Sequence, residues 1–339
     1  MMSFCRNLLF FLFSCLLAST AVAKTYQIPS PGNSGKGDFP GCSFNDSTNT
    51  YSCSGDLVLN NDDRIEIRGN PGTITFYVAL EIKLGARVRV NEGGSTEDLR
   101  FTSATKIEIG DDSRFAATID GIDEVKVKAR VAEIGDIINS EKIELEDEVQ
   151  VNGNLDAQDE IKIGSRGNVS GSIDSGGEIQ FGSGASVGGA VNAADKLQTG
   201  EDFEAGSSLS AGAELELGAR ANVSGNVLAQ EKIDIKEDST INGSITTVSE
   251  KADIDLGSRI AVNGNIDSAG SVEIKEDARI NGTISSVDDV KIDNRTVVDG
   301  SIDSGDEVEL GEDARVTGNI NAKGDVELKS RSEVGGYVN

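Results

Sequence analysis

The repeat is clearest in two successive segments, VEIKEDARINGTISSVDD (residues 272–289) and VKIDNRTVVDGSIDSGDE (residues 290–307). The two segments are equal in length, and each opens with two apolar residues that flank one polar residue. A Val or Ile stands at the ninth position, a Gly at the eleventh and an Ile at the thirteenth. Because apolar positions that alternate with polar ones are typical of short strands, each segment predicts three strands separated by corners.

The apolar pair recurs at this same spacing from Ile107 to Ile235 and, after a short insertion, from Ile254 to Leu328. These recurrences make 13 units. A unit of this kind buries its apolar face only by stacking on its neighbours, which is the defining property of a solenoid. The sequence therefore predicts an all-β fold, a parallel triangular β-helix with about 18 residues per coil. Coils spaced by about 4.8 Å would form a rod about 60 Å long.

Composition excludes several classes of function. The chain has 339 residues, a net charge of −27, no His and no Trp. Without His there is no imidazole to act as a general base or to bind a metal. Excess negative charge opposes contacts with phosphates, so we expect no nucleic-acid partner. We also expect no enzymatic activity and no cofactor.

Residues 1–23 have the pattern of a signal peptide. Arg6 precedes an apolar run over residues 8–17, and small residues at Ala21 and Ala23 form a cleavage site. We expect residues 1–23 to be removed, which leaves a mature chain with no transmembrane segment. This pattern predicts an exported bacterial protein that is periplasmic, on the cell surface or extracellular.

Residues 24–64 are predicted to form a small N-terminal cap. They contain three of the four prolines and the two cysteines that remain after cleavage, Cys42 and Cys53. In an oxidising compartment these two cysteines most simply form a disulfide with each other. Residues 65–106 predict irregular first coils with a loop insertion, and residues 107–339 predict the regular β-helix.

One position of the repeat carries charges of alternating sign. The sixth residue of each unit is an acid or an Arg in turn, interrupted only at Gly184. Because adjacent coils lie one strand spacing apart, each Arg is expected to lie between carboxylates and to oppose slippage of the register. This charge ladder comprises Asp112, Arg130, Glu148, Arg166, Asp202, Arg220, Asp238, Arg259, Asp277, Arg295, Asp313 and Arg331.

A second set of positions forms a flat polar surface of Asn, Ser, Asp and Thr, as in the segment from Asn263 to Asp267. Stacked Asn and Ser side chains can hydrogen-bond from coil to coil. Carboxylates such as Asp156 and Asp174 would stack one coil apart. Since Ca²⁺ takes oxygen ligands, a weak Ca²⁺ site on this acidic face is the one ion-binding hypothesis that remains.

The Val/Ile/Gly pattern from Ile107 to Asn339 resembles the bactofilins, a family of polymer-forming bacterial proteins. The resemblance implies a right-handed triangular β-helix that joins end to end into filaments without a nucleotide. Left-handed hexapeptide helices have coils of the same length, but they place one large residue in each hexad, whereas the first hexad here carries two. Bactofilins are cytoplasmic, so for a chain with an export pattern we expect the polymerising fold, rather than the cytoskeletal role, to carry over.

The last coil is the candidate assembly end, because the repeat continues to the final residues with no polar cap. The apolar residues that would form its contact are Val326, Leu328, Val334, Tyr337 and Val338. The sequence thus favours a non-enzymatic structural rod that binds itself or an envelope or extracellular protein. The alternatives are a surface adhesin or pilus-associated protein and, less favoured, a carbohydrate-active β-helix enzyme, whose site would be expected to break the repeat.

Overall fold

The computed structural model describes residues 22–28, 39, 41–69 and 71–339. These residues form 44 strands and no helix. Strands of successive coils pair in parallel with a register shift of one repeat unit, as in Ile161↔Ile179 and Val290↔Val308. The predicted all-β parallel solenoid, with its coil length, is confirmed.

The strands stack in three columns, one on each side of the solenoid. The first face contains the strands that open each repeat unit. Its strands are Leu57–Leu59, Ile82–Leu84, Lys106–Ile109, Glu124–Val127, Glu178–Phe181, Leu197–Thr199, Leu215–Leu217, Ile233–Ile235, Ile254–Leu256, Val272–Ile274, Val290–Ile292, Val308–Leu310 and Val326–Leu328.

The second face carries very short strands that follow the charge ladder. Its two sheets are linked through single bridges such as Arg114↔Ala132. The strands are Thr25–Ile28, Arg64–Ile67, Arg89–Val90, Arg114–Phe115, Gln150–Val151, Asn168–Val169, Ser186–Val187, Glu204–Ala205, Asn222–Val223, Thr240–Ile241, Ala261–Val262, Arg279–Ile280, Val297–Val298, Arg315–Val316 and Glu333–Val334.

The third face closes each coil, and two long strands, Ile137–Leu145 and Leu155–Ile163, continue round the corner from it to the first face. It begins with a hairpin of Cys42–Asn45 and Thr50–Cys53. The remaining strands are Ile74–Val78, Leu99–Ser103, Thr118–Gly121, Ile173–Ser175, Val191–Ala193, Leu209–Ala211, Val227–Ala229, Ile245–Thr247, Ile266–Ser268, Ile284–Ser286, Ile302–Ser304 and Ile320–Ala322.

The interior is a column of aliphatic side chains, because every strand points alternate residues inward. Aromatic residues are concentrated at the N-terminal end of this column, where the rings of Tyr51, Phe76 and Phe101 stack with centroids 4.6 and 4.8 Å apart. The coils at this end are longer than the regular ones. Ile82 pairs with Leu57 and with Ile107, so each of these coils takes up more of the chain than a regular one.

The N-terminal divisions of the chain stay predictions. The predicted signal peptide lies outside the described residues except for Val22 and Ala23. The predicted boundary after residue 64 falls within the strand Arg64–Ile67, which pairs in parallel with Thr25–Ile28. In the part of the chain that is described, no helix is long and apolar enough to cross a membrane.

Candidate assembly surfaces

The charge ladder lies at the corner between the first and second faces, and its pairing is one-sided. The guanidinium of Arg295 donates two hydrogen bonds to Asp277 in the preceding coil, both of 2.7 Å. Arg331 donates in the same way to Asp313, at 2.6 and 2.7 Å. Every ladder Arg binds the acid on its N-terminal side. The ladder is therefore a series of discrete two-coil clamps, rather than a chain in which each Arg is shared by two acids.

The ladder residues also share an unusual backbone conformation. Asp277 and Arg295 have φ of 62° and 59°, and Gly184 has φ of 69°. All twelve ladder residues have positive φ. Left-handed backbone is unfavourable for residues with a Cβ, and it is tolerated best by Gly, Asn and Asp. The sequence signal for this conformation is Gly184 itself, since glycine replaces a charged residue at one rung.

Sequence reasoning missed the first clamp of the ladder. Asp62 and Arg87 have φ of 66° and 59°, and the Arg87 Nε lies 2.7 Å from the Asp62 Oδ1. Both stand at the sixth position counted from the strands that begin at Leu57 and Ile82. Asp62 and Arg87 were missed because their coils are longer than the regular ones, so a search at the fixed period of the repeat does not reach these two residues.

The clamps alter the acidity of their carboxyl groups. Hydrogen bonds from Arg295 and Arg331 hold the pKa of Asp277 and of Asp313 below the usual range for an aspartate. The same effect lowers the pKa of the other ladder aspartates and of Asp62, each through its own Arg. These groups are exposed, so each clamp contributes little to stability. Their common placement favours a role in fixing the register.

The polar surface forms two hydrogen-bonded ladders. On the second face, the amide of Asn263 donates to Asn242 at 2.9 Å, and Asn281 donates to Asn263 at 2.7 Å. At the corner with the third face, side-chain oxygens accept from the backbone of the next coil, as when Asn226 accepts from the Ser244 N–H at 2.9 Å. These contacts give the polar residues a structural use along the rod.

Two carboxylates, Asp156 and Asp174, are register partners on the third face. The amide of Asn192 donates to Asp174 at 2.7 Å, so the adjacent coil supplies a donor there. Among the described residues, no three Asp, Glu or Cys side chains converge as ligands for a metal ion. Binding of Ca²⁺ at this face stays a prediction.

The last coil, residues 326–339, exposes side chains at positions that are buried in the coil before it. Leu328 and Val338 are 45 and 44 % exposed, whereas their counterparts one coil earlier, Leu310 and Ile320, are fully buried. Val326 and Val334 are half-buried, and Tyr337 is 56 % exposed. Four of the five predicted assembly residues therefore stand at interior positions of the last coil, beside strands that are paired only on their inner side. The fifth, Tyr337, stands at an outward position, whose counterpart Asn319 is also partly exposed.

The opposite end is closed by a hairpin. Cys42 and Cys53 are direct partners in its antiparallel strands, and they form the predicted disulfide, with a Cα–Cα distance of 4.0 Å. Inside this end, Phe39 is 2 % exposed and stacks on Tyr26 with ring centroids 4.5 Å apart. The two ends of the solenoid therefore differ in their chemistry: one is packed with aromatic rings and the other presents its interior.

The arrangement of coils agrees with a known family. A model of the bactofilins, described as polymer-forming cytoskeletal, matches residues 145–246 and 254–339. The chain belongs to the bactofilin family. The two matched stretches are separated where the coil between Ile233 and Ile254 is longer than its neighbours. No curated protein and no solved structure matches the chain.

Membership in the bactofilin family corrects one expectation. The family is cytoskeletal, so the prediction of an exported protein, whether periplasmic, on the cell surface or extracellular, is wrong. That prediction rested on Arg6, the apolar run over residues 8–17 and the small residues Ala21 and Ala23, which form a local pattern that is independent of the fold that follows. The family description likewise gives no support to an adhesive or envelope role.

Proposed function

We propose that this bactofilin is a non-enzymatic structural rod that binds a second copy of itself through its last coil, residues 326–339. The family is one of polymer-forming structural proteins, which supports self-association. The observation that carries the choice of surface is the exposure of Leu328 and Val338, whose counterparts in the preceding coil are buried. Burial of this surface by another copy would restore the environment that the same positions have elsewhere in the rod.

The charge of the last coil is compatible with this contact. The whole chain has a net charge of −27, which opposes association of two copies over most of their surface. The side chains of residues 326–339 include two acids, Glu327 and Glu333, and two bases, Lys329 and Arg331. These charges sum to zero, so the side chains of the last coil add no net charge to the contact.

The test is negative-stain electron microscopy and sedimentation velocity of the full chain and of two variants. Val338→Lys places a charge on the exposed end, and we expect it to leave single rods. Val287→Lys is the matched control, because Val287 is also exposed, at 62 %, but lies on the side of the rod. Joined rods with Val287→Lys and single rods with Val338→Lys would support the proposal. Joined rods with both variants would refute the assignment to the last coil.

A further inference from the structure

We propose that the hairpin of Cys42–Asn45 and Thr50–Cys53 blocks one end of the solenoid, so that assembly stops at two rods until the disulfide is reduced. This inference rests on the proposed self-association through residues 326–339. It assigns the hairpin a regulatory role that end-to-end contact alone does not require. The partner at the open end is a second copy of this chain, and the hairpin sets how many copies can join.

The hairpin occupies the edge on which another coil would stack. Thr50–Cys53 is the outermost parallel strand of the third face, and it pairs on its inner side with Ile74–Val78. On its outer side it pairs with Cys42–Asn45, which runs in the opposite direction. The backbone groups that would receive the next parallel strand are thus already used. On the second face, Thr25–Ile28 pairs in parallel with Arg64–Ile67, as strands of successive coils do, so this strand extends the stack rather than closing it.

The interior at this end is filled as well. Phe39, Tyr26 and Phe44 are 2, 8 and 7 % exposed, and Phe44 packs on Tyr51 with ring centroids 4.5 Å apart. By contrast, the interior positions of the last coil are about half exposed at Leu328 and Val338. One end therefore exposes apolar interior positions to a partner, while the other has its interior covered by aromatic rings and its third-face strand edge paired by the hairpin. On the first face of the blocked end, Leu57–Leu59 pairs only with Ile82–Leu84 among the described residues, so the block lies on the third face.

A rod with a single adhesive end forms a closed assembly. Two such ends can meet through a self-complementary contact, and the resulting pair has only blocked ends left. Growth into a filament requires a contact at both ends, so the hairpin must open before a third rod can be added. On this proposal, the number of rods that can join depends on whether the hairpin is closed or open.

The disulfide is suited to control this opening. It joins the two strands of the hairpin at the end away from the turn over residues 46–49, and it holds the outer strand Cys42–Asn45, whose one strand partner among the described residues is Thr50–Cys53. Disulfides in cytosolic proteins are rare and are usually transient or redox-sensing. Cys42 is half-buried and Cys53 is 4 % exposed, so Cys42 is the more accessible residue of the pair.

The chemical step is a thiol–disulfide exchange with a small dithiol. One thiolate of the dithiol attacks a sulfur of the Cys42–Cys53 bond and forms a mixed disulfide, and the second thiolate then displaces the protein sulfur. Two electrons and two protons end on Cys42 and Cys53 as thiols, and the dithiol becomes a cyclic disulfide. The strand Cys42–Asn45 is then held by its backbone hydrogen bonds and by the packing of Phe44 on Tyr51, without the covalent link.

The experiment compares the oxidised and reduced full chain by sedimentation velocity and electron microscopy, in a Cys5→Ser/Cys15→Ser background that leaves one cysteine pair. We expect the oxidised protein to sediment as two joined rods. After addition of dithiothreitol we expect a series of longer assemblies, at least several-fold longer than the pair. The double variant Cys42→Ser/Cys53→Ser should give the longer assemblies without reductant. Long filaments in the oxidised protein, or no lengthening on reduction, would overturn the inference.

Two further measurements distinguish the role of the hairpin from that of the last coil and from general unfolding. Hydrogen exchange should show that reduction increases exchange over residues 42–53 and leaves residues 272–310 unchanged, which excludes general unfolding as the cause of longer assemblies. Val338→Lys should abolish the oxidised pair. If it does so while reduction leaves the pair of rods unlengthened, the role of the hairpin is refuted and the role of the last coil is retained.

Discussion

At the level of single residues, the corner ladder combines two opposing effects. Each Arg gains a pair of hydrogen bonds to an exposed carboxylate, which contributes little on a solvated surface. The same residue holds a left-handed backbone, which costs about 1–2 kcal/mol for a residue with a Cβ. The cost of the left-handed backbone is larger than the gain from the ion pair. We therefore infer that the stability of these positions depends mainly on the positive φ that the corner requires.

Substitutions at Arg259, with φ of 59°, separate the two effects. Arg259→Gly removes the clamp to Asp238 and relieves the backbone, but glycine loses about 0.5–1 kcal/mol more conformational entropy on folding, so we expect little net change in the free energy of unfolding. Arg259→Val places a β-branched residue in the left-handed region and should destabilise by about 2 kcal/mol. Circular dichroism melts would measure both. Arg315→Val is the matched control, since Val297 already occupies the equivalent strand position one coil earlier. Equal losses for Gly and Val would contradict the dominance of the backbone.

The clamps also predict how stability depends on pH. Because the ladder Arg residues lower the pKa of Asp277 and Asp313 in the folded chain, the clamps stabilise the fold at a pH above the pKa of an unfolded aspartate, about 3.9. This contribution is lost as the pH falls through the lower folded pKa. We expect the Tm of the wild type to fall below about pH 4 and the Asp277→Asn/Asp313→Asn variant to fall less steeply. In salt of about 1 M, where exposed pairs are screened, the two slopes should converge.

At the level of the coil, glycine is required where the backbones of adjacent coils approach at the corner between the second and third faces. A Cβ on Gly282 would lie 2.4 Å from the carbonyl oxygen of Gly264, which is backbone and cannot move aside. Gly282→Ala should therefore destabilise its coil by about 1–3 kcal/mol, the range for overpacking. Gly184→Asn is the control, because its Cβ meets only the Arg166 Cγ at 3.4 Å and Asn tolerates positive φ. Hydrogen exchange around each site would measure the difference, and equal losses would argue against close packing as the cause.

The regular coils were predictable from sequence because one register is repeated, so an error at one unit is corrected by its neighbours. The inward positions of Val290 and Ile302 and the ladder from Asp112 onward follow from spacing. The disulfide between Cys42 and Cys53 was predicted from an oxidising compartment, so the pairing is confirmed although the export on which it was argued is wrong. The folding back of Cys42–Asn45 as an antiparallel strand does not, because an alternating pattern fixes which side chains point inward and leaves strand direction open. The left-handed corner was also missed, since charge alternation reports side chains rather than φ.

At the level of the whole rod, the distribution of charge predicts how association responds to salt. The chain has a net charge of −27, but the last coil contains two acidic and two basic side chains. At an ionic strength of about 0.01 M the Debye length is about 30 Å, so two approaching rods repel through charges far from their contact. At about 0.15 M the Debye length is about 8 Å, so only charges close to the contact, which are those of Glu327, Lys329, Arg331 and Glu333, still influence pairing.

We therefore expect the Kd for pairing of oxidised rods to fall at least tenfold between about 0.01 M and about 0.15 M salt. Between about 0.15 M and about 1 M it should change little, because apolar burial at Leu328 and Val338 does not depend on attraction between opposite charges. Sedimentation equilibrium at several salt concentrations would measure this profile, with Val338→Lys as the variant that should not pair at any of them. Pairing that weakens steadily with salt would instead show that the rim residues Glu327, Lys329, Arg331 and Glu333 hold the two rods together by ion pairs.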